Sequence, residues 1–141
     1  MRIMAIDYGD AHTGIAVSDP TGFLAGFTTV IDAYRPDIVA ERIALLAREH
    51  GAERLVLGHP INMDGTRGPR SEKTQAMRQL LEETTGLPVV LWDERRTTID
   101  AHQILLNGGK NAKKRKKVVD AVAASLILEG YLTYLKSHPE G

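Results

Sequence analysis

The stretch that decides the fold class is Ile3-Met4-Ala5-Ile6-Asp7-Tyr8-Gly9. Four apolar residues follow one another without a polar break, which is typical of a strand covered on both faces and therefore central in its sheet. The strand ends at a carboxylate, Asp7, which should lie at the rim of the core, where water, a metal ion or a substrate can reach it. On this stretch alone, Asp7 is equally well explained as the start of a turn before Gly9.

The composition is that of an ordinary globular protein. The chain has 141 residues, of which 43% are hydrophobic and 26% charged, and this predicts one domain over residues 1–136 with a frayed tail at 137–141. No apolar run approaches the roughly 20 residues that cross a bilayer, and no leader precedes the first strand, so we expect a cytoplasmic protein. The absence of cysteine excludes a disulfide scaffold, a thiolate metal site and a cysteine nucleophile.

The net charge is zero, but the charges are distributed unevenly along the chain. Positions 110–117 hold six of the 18 basic residues and no acidic one, which leaves 12 basic and 18 acidic residues elsewhere. A concentrated positive patch on an acidic body usually meets phosphate, although a lysine run can also be a solvated turn. We call these six residues the basic cluster and expect it to be a loop: Lys110, Lys113, Lys114, Arg115, Lys116 and Lys117.

The hydrophobic pattern predicts three strands, then helix, strand, helix, strand and two helices. The first three strands, which end near Ile31, are short and separated by Gly and Pro, as in an antiparallel meander. Helices are expected from about Pro36 to Gly51, 71 to 86, 97 to 106 and 118 to 134, with strands at 54–58 and 88–92. Strands joined by helices should lie parallel to the first. The prediction is an α/β protein with a five-stranded mixed sheet and helices on both faces.

In such a sheet, ligands gather at the carboxyl ends of the parallel strands. The residues at those ends are Asp7, the segment Gly58-His59-Pro60 and the pair Asp93-Glu94. The topology therefore predicts that two carboxylate positions share one edge. His59 and His12 are possible ligands or proton carriers, but a histidine in a polar loop is more often simply solvated.

Asp120 is the most informative single residue, because it lies in the segment 118–128, which is apolar on nearly every helical face. An isolated carboxylate there would be costly to desolvate. It is either a first-turn residue favoured by the helix dipole or a third carboxylate beside Asp7 and Glu94. Glu94 also has a simpler explanation, as part of surface ion pairs with Arg95 and Arg96. Three carboxylates without His or Cys suit hard cations such as Mg²⁺ or Mn²⁺.

Several cations are placed to meet a phosphate near this edge. The connection 58–70 is long enough to be functional, carries Arg67 and Arg70, and lacks the ending of a Walker loop. Arg95 can hold a carboxylate or a phosphate with its guanidinium fork. The basic cluster immediately precedes the helix that bears Asp120, so it should flank the carboxylates. Cations beside a metal-binding carboxylate site are what a phosphodiester substrate requires.

With these residues in place, the chain resembles the YqgF/RuvX family of Holliday junction resolvases or pre-ribosomal-RNA nucleases over about residues 1–135. Each matching stretch is weak alone, and the specificity comes from their number and order. The four stretches are Ile6-Asp7-Tyr8-Gly9 with Gly14-Ile15-Ala16-Val17-Ser18-Asp19, Gly58-His59-Pro60 with Asn62-Met63-Asp64-Gly65, Asp93-Glu94-Arg95 with Thr97-Thr98, and Val119-Asp120 with Ala123-Ala124.

The resemblance implies a ribonuclease H-like fold and a metal-dependent hydrolase of nucleic acid. The family's acidic residues correspond to Asp7, Glu94 and Asp120, and Asp7 would bridge two Mg²⁺ or Mn²⁺ ions. Arg67, Arg70, Arg95 and the basic cluster would hold the nucleic acid. The substrate would be the 5′ end of the small-subunit ribosomal RNA precursor or branched DNA, with a ribosomal subunit as a candidate partner, and the chain a monomer or a homodimer.

One stretch departs from the family pattern. Where the family usually has a basic pair, this chain reads Asp10-Ala11-His12-Thr13. The change removes expected phosphate contacts and adds a carboxylate near the site, so it bears on substrate preference more than on fold.

Two other functions compete with a nuclease. A nucleic-acid-binding factor without turnover would show salt-sensitive binding that survives loss of the carboxylates. A phosphotransferase of the actin and sugar-kinase group also begins with a strand followed by Asp-x-Gly. Those enzymes need two such domains around a nucleotide cleft, and this chain has the length of one.

Overall fold

A computed structural model describes residues 1–19, 25–59, 68–93 and 112–138, with the side chains of residues 25 and 112–120 left aside. Its strands and helices follow the order that the hydrophobic pattern predicts. The elements are β1 (Ile3–Asp7), β2 (His12–Ser18), β3 (Ala25–Asp32), α1 (Pro36–His50), β4 (Arg54–His59), α2 (Pro69–Thr85), β5 (Val89–Asp93) and α3 (Ala112–Ser137).

The five strands form one mixed sheet in the order β3-β2-β1-β4-β5. β1 pairs antiparallel with β2, and β2 antiparallel with β3, as in the predicted meander. β4 and β5 lie parallel to β1, because helical crossovers precede them. The predicted five-stranded α/β sheet, with β1 at its centre, is therefore confirmed.

Alternate residues of β1 enter two different cores, which explains its uninterrupted apolar sequence. Met4 and Ile6 pack in the core that includes residues of α1 and α2. Ile3 and Ala5 pack in the opposite core, which is covered by α3. Helices thus cover both faces, as predicted. Asp7 is next in the alternation, so it belongs to the α3 face of the sheet.

The helix ends follow the chemistry of proline and glycine. Both α1 and α2 begin with a proline in the first turn, where its missing N–H costs nothing. α1 ends at Gly51 with φ 67°, and α2 ends at Gly86 with φ 71°, the left-handed conformation that glycine adopts most easily. Both glycine stops were expected from the sequence.

The last helix corrects one prediction. α3 begins at Ala112 and not near Val118, so Lys113 to Lys117 lie in its first turns and do not form a loop. Alanine, lysine and arginine are good helix formers, and the charge run that suggested a loop does not oppose helix formation by propensity. The helix predicted at 97–106 lies outside the described residues. None of the helices in the described parts of the chain is long and apolar enough to cross a membrane.

Candidate functional site

The carboxyl ends of the three parallel strands meet at one edge of the sheet, as predicted. Ile6 of β1 pairs with Leu57 of β4, and His59 of β4 pairs with Asp93 of β5. Asp7, His59 and Asp93 are therefore neighbours along this edge, which is where ligands bind in parallel α/β sheets.

Glycine occupies the position beside Asp7 on both neighbouring strands. Asp7 pairs with Gly14 of β2. Ile6 pairs with Leu57 of β4, and the same register one residue further on places Gly58 on the other side of Asp7. All three positions belong to the α3 face. At the paired positions themselves, the two strands beside the half-buried Asp7 therefore carry no side chain.

His59 lies on the opposite face and is not solvated, contrary to the expectation for a loop histidine. It is 5% exposed, and its Nε2 lies 2.6 Å from Ser71 Oγ, which also accepts a hydrogen bond from Gln75 Nε2. A serine bonded to a histidine beside Asp93 has the composition of a hydrolase triad. Ser71 is 0% exposed, so no substrate reaches it, and the pair instead fixes the start of α2 against β4.

The loop after β1 is closed tightly on itself, and Gly9 makes this possible. A Cβ at Gly9 would lie 2.4 Å from the backbone oxygen of His12, closer than any real contact. His12 is not free either, since its Nδ1 lies 2.6 Å from Asp32 Oδ1 at the end of β3. The departure from the family pattern at 10–13 is therefore built into a defined turn.

Two cations from α2 reach this same loop. Arg70 Nη2 donates to the backbone oxygen of Tyr8 at 3.2 Å, and Lys73 Nζ lies 3.3 Å from Asp10 Oδ1. Sequence reasoning selected Arg70 but missed Lys73. The spacing of Lys73 from Arg70 was the available signal, because residues three apart share one face of a helix and Lys73 therefore points the same way as Arg70. α2 thus brings positive charge to the turn in which the family's usual basic pair is absent.

A pocket of about 270 Å³ lies between this turn and the α1/α2 side of the sheet. Burial and then the charge of Asp10 raise the pKa of Tyr8, while Lys73 acts in the opposite direction. Because the ordinary pKa of a tyrosine is already about 10, the phenol stays protonated at neutral pH. The pocket is lined by Tyr8, Asp10, Tyr34, Pro36, Lys73, Ala76, Met77 and Leu80.

The remaining predicted site residues are less completely placed. Asp120 and Lys113 to Lys117 lie in α3, where the structure describes the backbone. Glu94, Arg67, Arg95 and Lys110 lie outside the described residues. Across the parts of the chain that are described, no three His, Asp or Glu side chains form a group able to hold a metal ion.

The orientation of α3 is defined by its carboxyl-terminal half. Tyr131 Oη accepts a hydrogen bond of 2.8 Å from Arg54 at the start of β4, and the Trp92 ring of β5 packs edge-on against Tyr131 and Tyr134. The helix also contacts β1, β2 and β3. Ala124 and Ile127 are buried against the sheet on this face, one and two turns after Asp120.

Comparison with known proteins gives consistent results over nearly the whole chain. The family model RuvX, described as Holliday junction resolvase, matches residues 1–134. A protein of Halothermothrix orenii is 44% identical over 134 residues, covering 95% of this chain and 96% of its own length. A protein of Bacillus licheniformis is 45% identical over 139 residues, covering 97% and 100%. Both relatives are provisionally named pre-16S rRNA nuclease.

Solved structures share the fold at low sequence identity. RuvC of T. thermophilus, in complex with a Holliday junction substrate, superimposes with a TM-score of 0.62 at 14% identity and covers 96% of each chain. The Fowlpox virus resolvase, in complex with Holliday junction DNA, gives 0.55 at 11% identity, over 98% of this chain and 99% of its own. The expected ribonuclease H-like fold is thereby confirmed.

Proposed function

This chain belongs to the RuvX family, and we propose that it is a nuclease that hydrolyses phosphodiester bonds during maturation of the 5′ end of 16S ribosomal RNA precursors. The choice of an RNA precursor is supported by the names of relatives that share 44% and 45% of their residues over almost the entire chain. Such an enzyme would work in the cytoplasm, with a precursor of the small ribosomal subunit as its partner.

The observation that carries this proposal is the setting of Asp7. It lies at the carboxyl end of the central strand, half-buried, with glycine at the flanking position of each adjacent strand. A carboxylate at the carboxyl end of a parallel strand stands where ligands bind in α/β sheets, and its oxygens suit a hard divalent cation. The turn that follows is lined by Arg70 and Lys73.

The proposed metal ligands are Asp7, Glu94 and Asp120, with Mg²⁺ or Mn²⁺ as the ion. Carboxylate oxygens are the ligands that these hard cations prefer. When bound, divalent ions would activate a water molecule and stabilise the leaving oxygen. Asp7 contributes the negative charge that draws the ions to the strand end.

The positions of Asp93 and Asp120 bear on the choice of the other two carboxylates. Val89 packs in the α1/α2 core and Trp92 in the α3 core, so Asp93 falls on the face of His59 and not on that of Asp7. Between the adjacent residues Asp93 and Glu94, the resemblance to the family selects Glu94. On α3, Asp120 precedes the buried Ala124 by one turn and Ile127 by two, so its position continues the stripe that packs on the sheet.

The position of the basic cluster supports a polyanionic substrate. Five consecutive cations, Lys113 to Lys117, occupy the first turns of α3, at the positive end of the helix dipole. Positive charge concentrated in this way attracts a phosphodiester backbone, so we propose Lys113 to Lys117, with Arg67, Arg70, Arg95 and Lys110, as the nucleic-acid contacts.

The test is a titration of Mg²⁺ and of Mn²⁺ with four labelled substrates. These are RNA that spans the 5′ precursor junction, unrelated single-stranded RNA, duplex DNA and a four-way DNA junction. We expect metal-dependent cutting of the precursor RNA, reduced on the order of 100- to 1,000-fold by Asp7→Asn. Glu82→Gln, an exposed carboxylate on α2 paired with Arg78, is the control and should cut like the parent.

The outcomes separate the candidate functions. Undiminished cutting by Asp7→Asn would refute the assignment of Asp7. Binding that survives in this variant, with no cutting by the parent, would indicate a nucleic-acid-binding factor. Preferential cutting of the four-way junction would favour a resolvase, the function in the family description. A resolvase makes paired cuts and needs a two-fold dimer, so sedimentation of the parent at working concentration completes this test.

A further inference from the structure

The pocket beside the β1 turn has a composition that the proposed metal site does not explain. One stripe of α2 supplies Lys73, Ala76, Met77 and Leu80, at the spacing of a single helical face. Tyr8 directly follows Asp7, the last residue of β1. Pro36 is the first residue of α1, and Tyr34 lies in the connection before it. Three elements that are distant in sequence thus enclose one cavity at the carboxyl edge of the sheet.

The walls of this cavity differ in character. Met77, 2% exposed, and the partly buried Leu80 provide an apolar floor. Tyr34 lines the cavity and is 80% exposed, so its ring can be reached from solvent. The polar rim consists of the protonated Tyr8 phenol and the exposed ion pair of Asp10 with Lys73.

We propose that this pocket binds one unpaired nucleobase of a single-stranded segment of the substrate. The proposal rests on the proposed function, since it assumes that nucleic acid crosses the edge of the sheet at Asp7. Tyr8 follows Asp7 in the chain, and alternation puts their side chains on opposite faces. A strand that passes Asp7 on one face can therefore place a neighbouring base against Tyr8 and Tyr34 on the other.

Size and charge favour a base over other ligands. The volume of about 270 Å³ is below the roughly 300–1,000 Å³ of most small-molecule sites, so it suits one ring system and not a whole cofactor. Asp10 would repel a phosphate, and it offsets the charge of Lys73 within the same rim. A base presents donors and acceptors on its edge, which match a carboxylate, an ammonium group and a phenol.

The flat faces of a base match the exposed tyrosine. Every base has a π-face, so stacking on an aromatic side chain holds single strands without sequence readout. Arg70, fixed to the backbone oxygen of Tyr8, lies outside this rim at the same turn and is placed to contact the adjoining phosphate.

The test measures binding without cleavage, in EDTA, by fluorescence anisotropy with a labelled single-stranded RNA oligonucleotide. Tyr34→Ala should weaken binding roughly 5- to 100-fold, the range for loss of one stacked base. Tyr34→Phe retains the ring and should bind like the parent. Leu45→Ala removes another exposed apolar side chain, on α1, that does not line the pocket, and should also bind like the parent.

A second series identifies the base itself. Oligonucleotides with a single abasic position, moved along the strand, are bound to the parent and to Tyr34→Ala. At one position, removal of the base should weaken binding to the parent but not to Tyr34→Ala, because the abasic change and the substitution remove the same contact.

Equal binding by Tyr34→Ala and parent, or fully additive losses at every abasic position, would overturn the proposal. Because no metal is present, this outcome is independent of nuclease activity. If the parent cuts RNA and Tyr34→Ala binds normally, the pocket assignment fails and the nuclease stands. If the coupling appears in a protein that never cuts, the pocket assignment stands and the nuclease fails.

Discussion

Among individual residues, the carboxylates after β1 have different environments despite their proximity in sequence. Asp7 is half-buried on the α3 face beside two glycines, whereas Asp10 is exposed and paired with Lys73 on the other side of the turn. The extra carboxylate that distinguishes this chain from its family pattern is therefore not beside Asp7 on its face. Asp10 would affect substrate preference through the pocket that it lines with Tyr8 and Tyr34, which we call the base pocket, and not through the proposed metal ligands.

Gly9 is the residue of this turn that tolerates a side chain least. Gly9→Ala would put a Cβ at 2.4 Å from a backbone oxygen, which a rotamer change cannot relieve. We expect a loss of roughly 1–3 kcal/mol in the free energy of unfolding, measured by urea denaturation. Gly26→Ala is the control, because the nearest atom there is the Asp19 Cα at 3.2 Å, and it should cost less. A Gly9→Ala protein as stable as Gly26→Ala would contradict the tight turn.

At the level of secondary-structure elements, the pairing of β5 determines the face of its last residue. Asp93 pairs in register with His59, which faces α2, so Asp93 does not share the face of Asp7. We expect Glu94→Gln to reduce cleavage on the order of 100-fold or more, and Asp93→Asn to stay within several-fold of the parent. Thermal unfolding of both variants checks that they are folded. A larger loss from Asp93→Asn would refute the face assignment.

The end of α2 offers a separate test of helix termination. Gly86 has φ 71°, and a Cβ there would meet no atom within 4 Å, so a substitution is penalised by backbone strain alone. Gly86→Ala should cost about 1–2 kcal/mol of unfolding free energy, and Gly86→Asn less, because asparagine enters the left-handed region more easily. Denaturant titration measures both. Equal costs for Ala and Asn would mean that another interaction is lost at this position.

For the whole molecule, the distribution of charge matters more than its zero sum. Positions 110–117 carry six basic residues and no acidic one, whereas the rest of the chain carries 12 basic and 18 acidic residues. Such a polarised field orients a polyanion toward the start of α3 before any specific contact forms. It also makes binding dependent on salt.

The salt dependence gives a quantitative prediction. Replacing two cluster lysines, Lys114→Gln with Lys117→Gln, should lower the slope of log K against log salt by about 1.4–1.8, if each contacts one phosphate. Arg48→Gln with Arg78→Gln is the control of equal charge change, on exposed positions of α1 and α2 outside the cluster. An equal slope change in both double variants would indicate that total charge, and not the start of α3, governs binding.

The sequence by itself determined the features that depend on local pattern. The unbroken apolar run of β1 predicted a central strand, and helical connections predicted parallel neighbours whose ends share an edge. Pro36 predicted the start of α1, and Gly51 and Gly86 predicted where α1 and α2 end, because the backbone preferences of proline and glycine act at single positions. The motif residues predicted the family, which the comparison over residues 1–134 confirmed.

The tertiary structure decided what depends on contacts between distant segments. Whether His59 is solvated depends on Ser71 of a later helix, and the Lys73–Asp10 pair joins residues 63 positions apart. The base pocket likewise exists only where β1, α1 and α2 converge. The hydrophobic periodicity of a segment shows which of its faces is buried, but not which other segment covers that face. These sites therefore form only where packing brings distant segments together.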